Sequence, residues 1–258
     1  MAATIDAARR TYPLRVAAWS EIPDLVHGFL GREHGLPPGD FTLDDVHDAL
    51  GRAGEDTFRV AAARQVHGAT VLAPEDMPAA ARNVAAEKLP PGDAWVSASA
   101  DVLLTIRTAD CVPILLVAPR ARAVAAVHAG WRGTLAGVIE ASLAALASRY
   151  GAGPEELSAA IGPAIGGCCY AFGVEHRDAF VARFGETAAA AWRHDAEAGR
   201  SHLELRAVCR LALERGGLEA AAITEVGGCT ADHPDELHSF RRDGDHAGRQ
   251  LSYIGWRA

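Results

Sequence analysis

The sequence predicts a layered α/β (α+β) fold, one domain over residues 1–258 with mixed central β-sheets flanked by helices. Three observations predict it. Hydrophobic residues make up 49% of the 258 positions, enough to bury a large core. Short apolar runs and helix-periodic segments alternate through the whole length instead of segregating into blocks. No internal repeat, low-complexity tail or linker-like stretch divides the chain.

The elements follow in order. Residues 37–40, PPGD, mark a loop, and FTLDDVHDAL (41–50) then begins a helix. Residues 73–93 hold four prolines and end in Pro90-Pro91-Gly92, which reads as a long surface loop. Three apolar runs come next: DVLLTIR (101–107), VPILLVA (112–118) and AVAAVHA (123–129). Their turn-like spacers, TADC and PRAR, predict neighbouring antiparallel strands. Pro113 has no N–H to donate and belongs at a strand start or edge. In residues 133–153 the period changes. Leu135, Val138, Ile139, Leu143, Leu146 and Tyr150 recur at three- and four-residue steps, one helical face, with Gly151 as its stop. LSAAIG (157–162) reads as a strand and VEHRDAFVARFG (174–185) as a helix. LELRAVCRLALERGG (203–217) reads as an amphipathic helix with Cys209 in the core, and AAITEVGG (221–228) as a strand. Between them IGPAIGGCCYAFGVE (161–175), with four glycines, makes a poor strand and a poor helix and reads as a structured loop. Cys168 or Cys169 could be a ligand or nucleophile there, but the local reading is small buried loop residues.

Composition excludes several function classes. The formal charge is −8 and no Lys/Arg-rich block occurs, which argues against nucleic acid or an anionic membrane as partner. A local cationic pocket for one small anion stays open. The densest apolar run, VPILLVAP, is far short of the ~20 residues that span a bilayer. The N-terminus lacks a continuous apolar stretch of the secretory kind. Five cysteines, two of them adjacent, do not suggest a disulfide framework, so a cytoplasmic location is expected.

Three segments rich in small residues each carry one metal-capable side chain: RQVHGATV gives His67, TADCVP gives Cys111 and AVHAGWRG gives His128. Their separations, 44 and 17 residues, are not those of a zinc finger. A site gathered from different strands fits better, and two imidazoles plus one thiolate leave a fourth zinc position open, as in catalytic sites. Two other readings stand beside it. Cys111 and His128 could form a metal-free nucleophile pair, or all three could simply pack against the strands. Gly68, Gly130 and Gly133 would let backbone approach a ligand. Arg132, near a helix start, could hold an anion or make an ordinary salt bridge. Arg241, Arg242 and Arg249 in the C-terminal HSFRRDGDHAGRQLSYIGW could clamp a phosphate; locally, a solvated loop is the simpler reading.

Together these segments resemble the YfiH or laccase-domain family, also called polyphenol oxidase or peptidoglycan editing factor. The resemblance is carried by QVHG (65–68), ADVLLTIRTADCVPILL (100–116), AAVHAGWRGTLAGV (125–138), IGPAIGGCCYAFGVE (161–175) and SFRRDG (239–244). It implies a YfiH-like layered α/β fold and a zinc held by His67, Cys111 and His128. It implies phosphorolysis of the purine nucleosides adenosine, inosine and methylthioadenosine, together with adenosine deaminase activity. Small-molecule nucleoside and phosphate would then be the partners, with Arg32, Arg132, Arg241, Arg242 and Arg249 as the available cations and a monomer or dimer as the working unit. For deamination a carboxylate must move protons, with Asp110 and Glu175 as candidates. The sequence departs from the family at Gly31, where Ser or Thr is expected, and at Phe240, where Tyr is usual. Both changes bear on substrate contacts. Two alternatives remain: a Cys–His hydrolase or amidase editing peptidoglycan precursors, and a copper-dependent polyphenol oxidase. The second ranks low, because four-copper oxidases use His-x-His pairs and this chain has 11 His and none so spaced; a single copper remains compatible with the donor types.

Overall fold

The computed structural model describes residues 11–76, 84–195 and 199–258. The N-terminal residues 1–10 and part of the proline-rich loop, 77–83, lie outside them, so the reading of the extreme N-terminus has no structural counterpart. Twelve strands run in chain order: Leu25–Phe29 (β1), Arg59–Ala61 (β2), Val71–Leu72 (β3), Ala94–Ser97 (β4), Val102–Thr108 (β5), Val112–Ala118 (β6), Ala123–Ala129 (β7), Ser158–Ile161 (β8), Trp192–Asp195 (β9), Arg200–Leu203 (β10), Ile223–Glu225 (β11) and Gln250–Trp256 (β12). The helices are Leu43–Arg52 (α1), Trp131–Ala136 (α2), Val138–Tyr150 (α3), Arg177–Phe184 (α4), Leu205–Arg215 (α5) and Phe240–Asp243 (α6).

The strands form a six-stranded sheet, β11-β8-β6-β7-β4-β3, a four-stranded sheet, β1-β12-β5-β2, and the small pair β9–β10. The two large sheets pack face to face. Leu104, Ile106, Ile254 and Trp256 of one meet Trp95, Leu115, Val117, Val124 and Ala126 of the other. Alternate residues of the six-stranded sheet, among them Val112, Ile114, Leu116, Ala125 and Val127, face the opposite way onto α3, α4 and α5. On the outer face of the four-stranded sheet, Leu103, Leu251 and Tyr253 pack on α1. Both sheets are thus covered on both sides, which is why their strands read as unbroken apolar runs instead of alternating ones. The layered, mixed-sheet expectation holds.

One pairing differs from the expectation. β6 and β7 are antiparallel neighbours over their full length, Val112↔Ala129 to Ala118↔Ala123. β5 leaves that sheet and pairs antiparallel with β12 and parallel with β2. The three apolar runs are alike in sequence, but the tight turn 109–111 carries the chain from one sheet to the other. Asp110 takes a φ of 90° there. β12, one of the two inner strands of the four-stranded sheet, is fully buried.

Helix punctuation follows residue chemistry. Thr42 and Asp45 close a capping box on α1. Gly137, at φ 92°, breaks the predicted 133–150 helix into α2 and α3, and Gly151, at φ 69°, ends α3 where expected. All five cysteines are free, and Cys209 is fully buried. Among the described residues no helix is long and apolar enough to cross a membrane.

Candidate active site and metal centre

Register brings three distant segments to one end of the six-stranded sheet. Both β4 and β6 run antiparallel to β7. The entries to β4 and β6 therefore lie beside the exit of β7. Cys111 immediately precedes β6, His128 sits at the end of β7, and His67 lies in the loop before β3. Their ligand atoms lie within 4.8 Å of one another. Cys111 Sγ is 3.8 Å from His67 Nε2, and the two imidazole rings meet edge-on with centroids 4.8 Å apart. Gly130 makes this approach possible. A Cβ there would stand 2.8 Å from His67 Cδ2 and 3.1 Å from Cys111 Sγ.

Asp93 organises the trio, and nothing in its loop-like sequence context, PPGD, singles it out. It is buried at 1% exposure. Its Oδ1 lies 2.8 Å from His128 Nδ1. Its two oxygens also accept the backbone N–H groups of Val66, His67 and Gly68 at 3.2, 2.8 and 2.8 Å. The same carboxylate thus fixes the His128 ring, leaving Nε2 for the site, and holds the His67 loop, where His67 adopts φ 59°. Burial alone would raise the Asp93 pKa, but these hydrogen bonds and the His128 charge hold it below the ordinary value.

In the metal-free protein Cys111 and His128 polarise each other. Burial would raise the thiol pKa, yet the His128 charge and the hydrogen bonds from both imidazoles bring it down to about 6. Burial would lower His128, but the Cys111 charge and the Asp93 contact raise it to about 9. The sign is clear for the thiol: the thiolate persists above about 6 and is lost as the pH falls through that value. Alkylation of Cys111 in chelator-stripped protein should therefore stay fast from pH 8 to pH 7 and fall away near pH 6. Peptide mass spectrometry would follow it; a midpoint near the ordinary thiol value of about 8.5 contradicts the pairing.

The trio opens onto a cleft of about 560 Å³ whose walls include Phe41, Tyr170 and Phe240, a size suited to a small ligand. Asp110 shares this wall with Cys111. The turn geometry lets both neighbours face the cleft, which a regular strand would forbid. The Asp110 carboxylate accepts Thr230 Oγ1–H at 2.5 Å and the Arg241 N–H at 2.6 Å. Glu175 lies outside the cleft lining, its side chain 70% exposed.

The predicted arginines divide. Arg241 and Arg249 line the cleft; Arg241 Nη1 donates to Ala171 O at 2.8 Å. Arg242 does not line it. Its guanidinium donates to the carbonyls of Thr230, Ala231 and Leu237 and to Asp243, so it fastens loops instead of facing solvent or ligand. Arg32 bonds Pro234 O and pairs with Asp243 away from the cleft. Arg132 is exposed and lies over its neighbour Trp131. The cleft cation that sequence reading missed is Arg107, hidden at the end of an apolar strand. It is 9% exposed, stacks 3.8 Å over Phe41 and donates to Ala63 O. Burial, then the Arg249 charge, lowers its pKa to about 9. Among the described residues no carboxylate pairs with Arg107, Arg241 or Arg249.

Comparison with known proteins gives a consistent picture. The family model for multi-copper polyphenol oxidoreductase laccase matches residues 44–257. A purine nucleoside phosphorylase of Xylella fastidiosa (strain Temecula1) is 39% identical over 194 residues, 74% of this chain and 71% of that protein. Adenosine deaminase RL5, from an unknown prokaryotic organism, is 36% identical over 162 residues, 63% of this chain and 61% of its own. The crystal structure of YlmD from Geobacillus stearothermophilus superposes with a TM-score of 0.80 at 30% identity, covering 92% of this chain and 93% of that one.

Proposed function

Because the chain belongs to the family described as multi-copper polyphenol oxidoreductase laccase, we propose that it is a zinc-dependent purine nucleoside phosphorylase. Its substrates are adenosine, inosine and methylthioadenosine, adenosine deamination is a second activity, and it works in the cytoplasm. One observation carries this reading: three arginines without carboxylate partners, Arg107, Arg241 and Arg249, line the same cleft as the His67–Cys111–His128 trio in a protein of net charge −8. The three guanidinium groups outnumber the two carboxylates of the lining, Asp40 and Asp110, and such a local concentration of positive charge in an acidic protein suits a small dianion such as phosphate.

The donor set fits zinc. Two imidazoles and one thiolate are borderline ligands, and three protein donors leave a position free. A zinc bound there supplies a Lewis acid and a fixed positive charge at the cleft floor. A four-copper centre is not supported, since the other metal-capable cluster among the described residues contains no histidine.

The chain's own groups then have defined tasks. The arginines bind phosphate and hold it for in-line attack on the ribose C1′, which removes the entropic cost of bringing two reactants together. Tyr170, Phe41 and Phe240 offer aromatic faces to the purine. Asp110, on the cleft wall, keeps acceptor capacity beyond its two hydrogen bonds and is the candidate proton carrier for deamination. Glu175 is set aside because it lies away from the cleft.

Incubation with inosine, with and without phosphate, tests the reading. Free base and ribose 1-phosphate should form only when phosphate is present, and adenosine alone should give inosine slowly. Failure to release base from either nucleoside would overturn it. Arg249→Met should raise the KM for phosphate about 10- to 100-fold, the loss of a charged hydrogen bond worth about 1.5–3 kcal/mol, with a smaller change for the nucleoside.

A second reading has one observation behind it. Asp93, His128 and Cys111 are aligned as carboxylate, imidazole and thiol, the order of a cysteine-hydrolase relay. It would suit an amidase editing peptidoglycan precursors. Zinc content of wild type against His128→Ala separates the two, because loss of one zinc in the variant places metal at the trio and leaves no free thiolate to attack.

A further inference from the structure

We propose that Cys168, Cys169, Cys229 and Asp232 form a second metal site, a closed structural one that takes zinc through three thiolates and one carboxylate. The site is separate from the cleft trio and does not rest on the nucleoside reading.

The four donor atoms lie within 4.8 Å of one another. Zinc–thiolate bonds of ~2.3 Å in a tetrahedron place sulfurs about 3.8 Å apart, so a modest contraction closes the shell. The Asp232 carboxylate already draws both loop thiols inward. Cys168 Sγ donates to Oδ2 at 3.1 Å and Cys169 Sγ to Oδ1 at 2.9 Å. The backbone N–H of Gly166 donates to Cys229 Sγ at 3.2 Å, the kind of contact that stabilises a metal-bound thiolate. Cys229 and Asp232 stand three residues apart in one tight loop, a spacing common in structural zinc sites.

The frame is rigid where it meets the sheet. β8 and β11 are parallel neighbours, and the pairing continues past their ends as an Ala164↔Cys229 bridge. The chain thus delivers the two loops side by side. Cys168 is exposed and Cys169 half-buried, so the expectation of small buried loop residues does not hold for them. A vicinal disulfide is a poor alternative. Adjacent Cα atoms stand ~3.8 Å apart across a trans peptide, below the usual range for a disulfide. Three thiols converging on a carboxylate instead make a soft anionic cage that suits zinc.

The zinc would clamp the rim of the cleft. The 229–232 loop carries Thr230, which bonds Asp110, and its carbonyls receive Arg242. The 166–170 loop carries Tyr170 on the cleft wall.

The test is metal content by mass spectrometry on the full chain, purified with reductant and loaded with Zn2+. Wild type should retain two zinc per chain, His128→Ala one, and Cys168→Ser/Cys169→Ser one. Co2+ in place of Zn2+ should give a strong thiolate charge-transfer band in His128→Ala that disappears when Cys168→Ser/Cys169→Ser is added to that variant. Should the double variant not fold, Cys168→Ser alone, at an exposed position, should lower retention of the second zinc against a chelator at least tenfold. One zinc in wild type and none in His128→Ala would overturn the proposal. So would a disulfide from Cys229 to Cys168 or Cys169 in zinc-loaded protein.

Discussion

His128→Ala is expected to strip the cleft metal and to lower kcat/KM for inosine with phosphate by about a thousandfold or more, ~4 kcal/mol of transition-state stabilisation. His128 is 3% exposed and has Asp93 on one ring nitrogen and the trio on the other. No neighbour can replace it, and two remaining donors bind zinc poorly at neutral pH. Metal analysis and steady-state kinetics on the same preparation check the result. Full turnover without metal would show that the trio has no part in the reaction. Retention of the cleft metal, with zinc content equal to that of wild type, and lost turnover would move His128 from ligand to proton carrier.

Asp93→Ala is expected to have the second-largest effect, and on stability as well as activity. The substitution leaves the N–H groups of Val66, His67 and Gly68 without their acceptor and leaves the raised-pKa His128 without its carboxylate. Breaking a buried charged contact costs about 3–5 kcal/mol. The thermal midpoint should fall by roughly ten degrees or more. Asp93→Asn separates the two roles. It keeps an acceptor for the amides and removes the charge behind His128, so stability should largely return while metal affinity stays about 10- to 100-fold down. Equal loss in both variants of stability and affinity would mean that charge, and not hydrogen bonding, holds the loop.

Much of the fold is legible in the sequence. The apolar runs at 112–118 and 123–129 are strands, the face from Val138 to Tyr150 is a helix, and Gly151 ends it. These features depend on local sterics and on burial of alternating or helical faces, which are properties of neighbours in the chain. Sheet membership was not legible. β5 resembles β6 and β7 in composition but pairs with β12, more than a hundred positions away, and no local rule encodes which distant edge a strand will find.

The candidate site shows the same division. His67, Cys111 and His128 stand out because thiol and imidazole are rare beside apolar strands, and a glycine within two residues after each histidine signals a close approach. Asp93 and Arg107 stayed hidden. A carboxylate after PPG reads as loop, and one arginine ending an apolar strand reads as a strand end, yet one organises the trio and the other lines its cleft. Conversely Arg242, conspicuous in its basic cluster, is consumed by carbonyls.

By itself the sequence determined the donor types, the class of layered fold and the family, because these follow from side-chain chemistry and periodicity. Only the tertiary structure decided which donors meet, which arginines face the cleft, and that Cys168, Cys169, Cys229 and Asp232 converge. Those outcomes depend on the antiparallel register that sets the entries of β4 and β6 beside the exit of β7, and on the parallel β8–β11 pair. Register is a relation between segments far apart in the chain, and it exists only once both sheets have closed on their shared core.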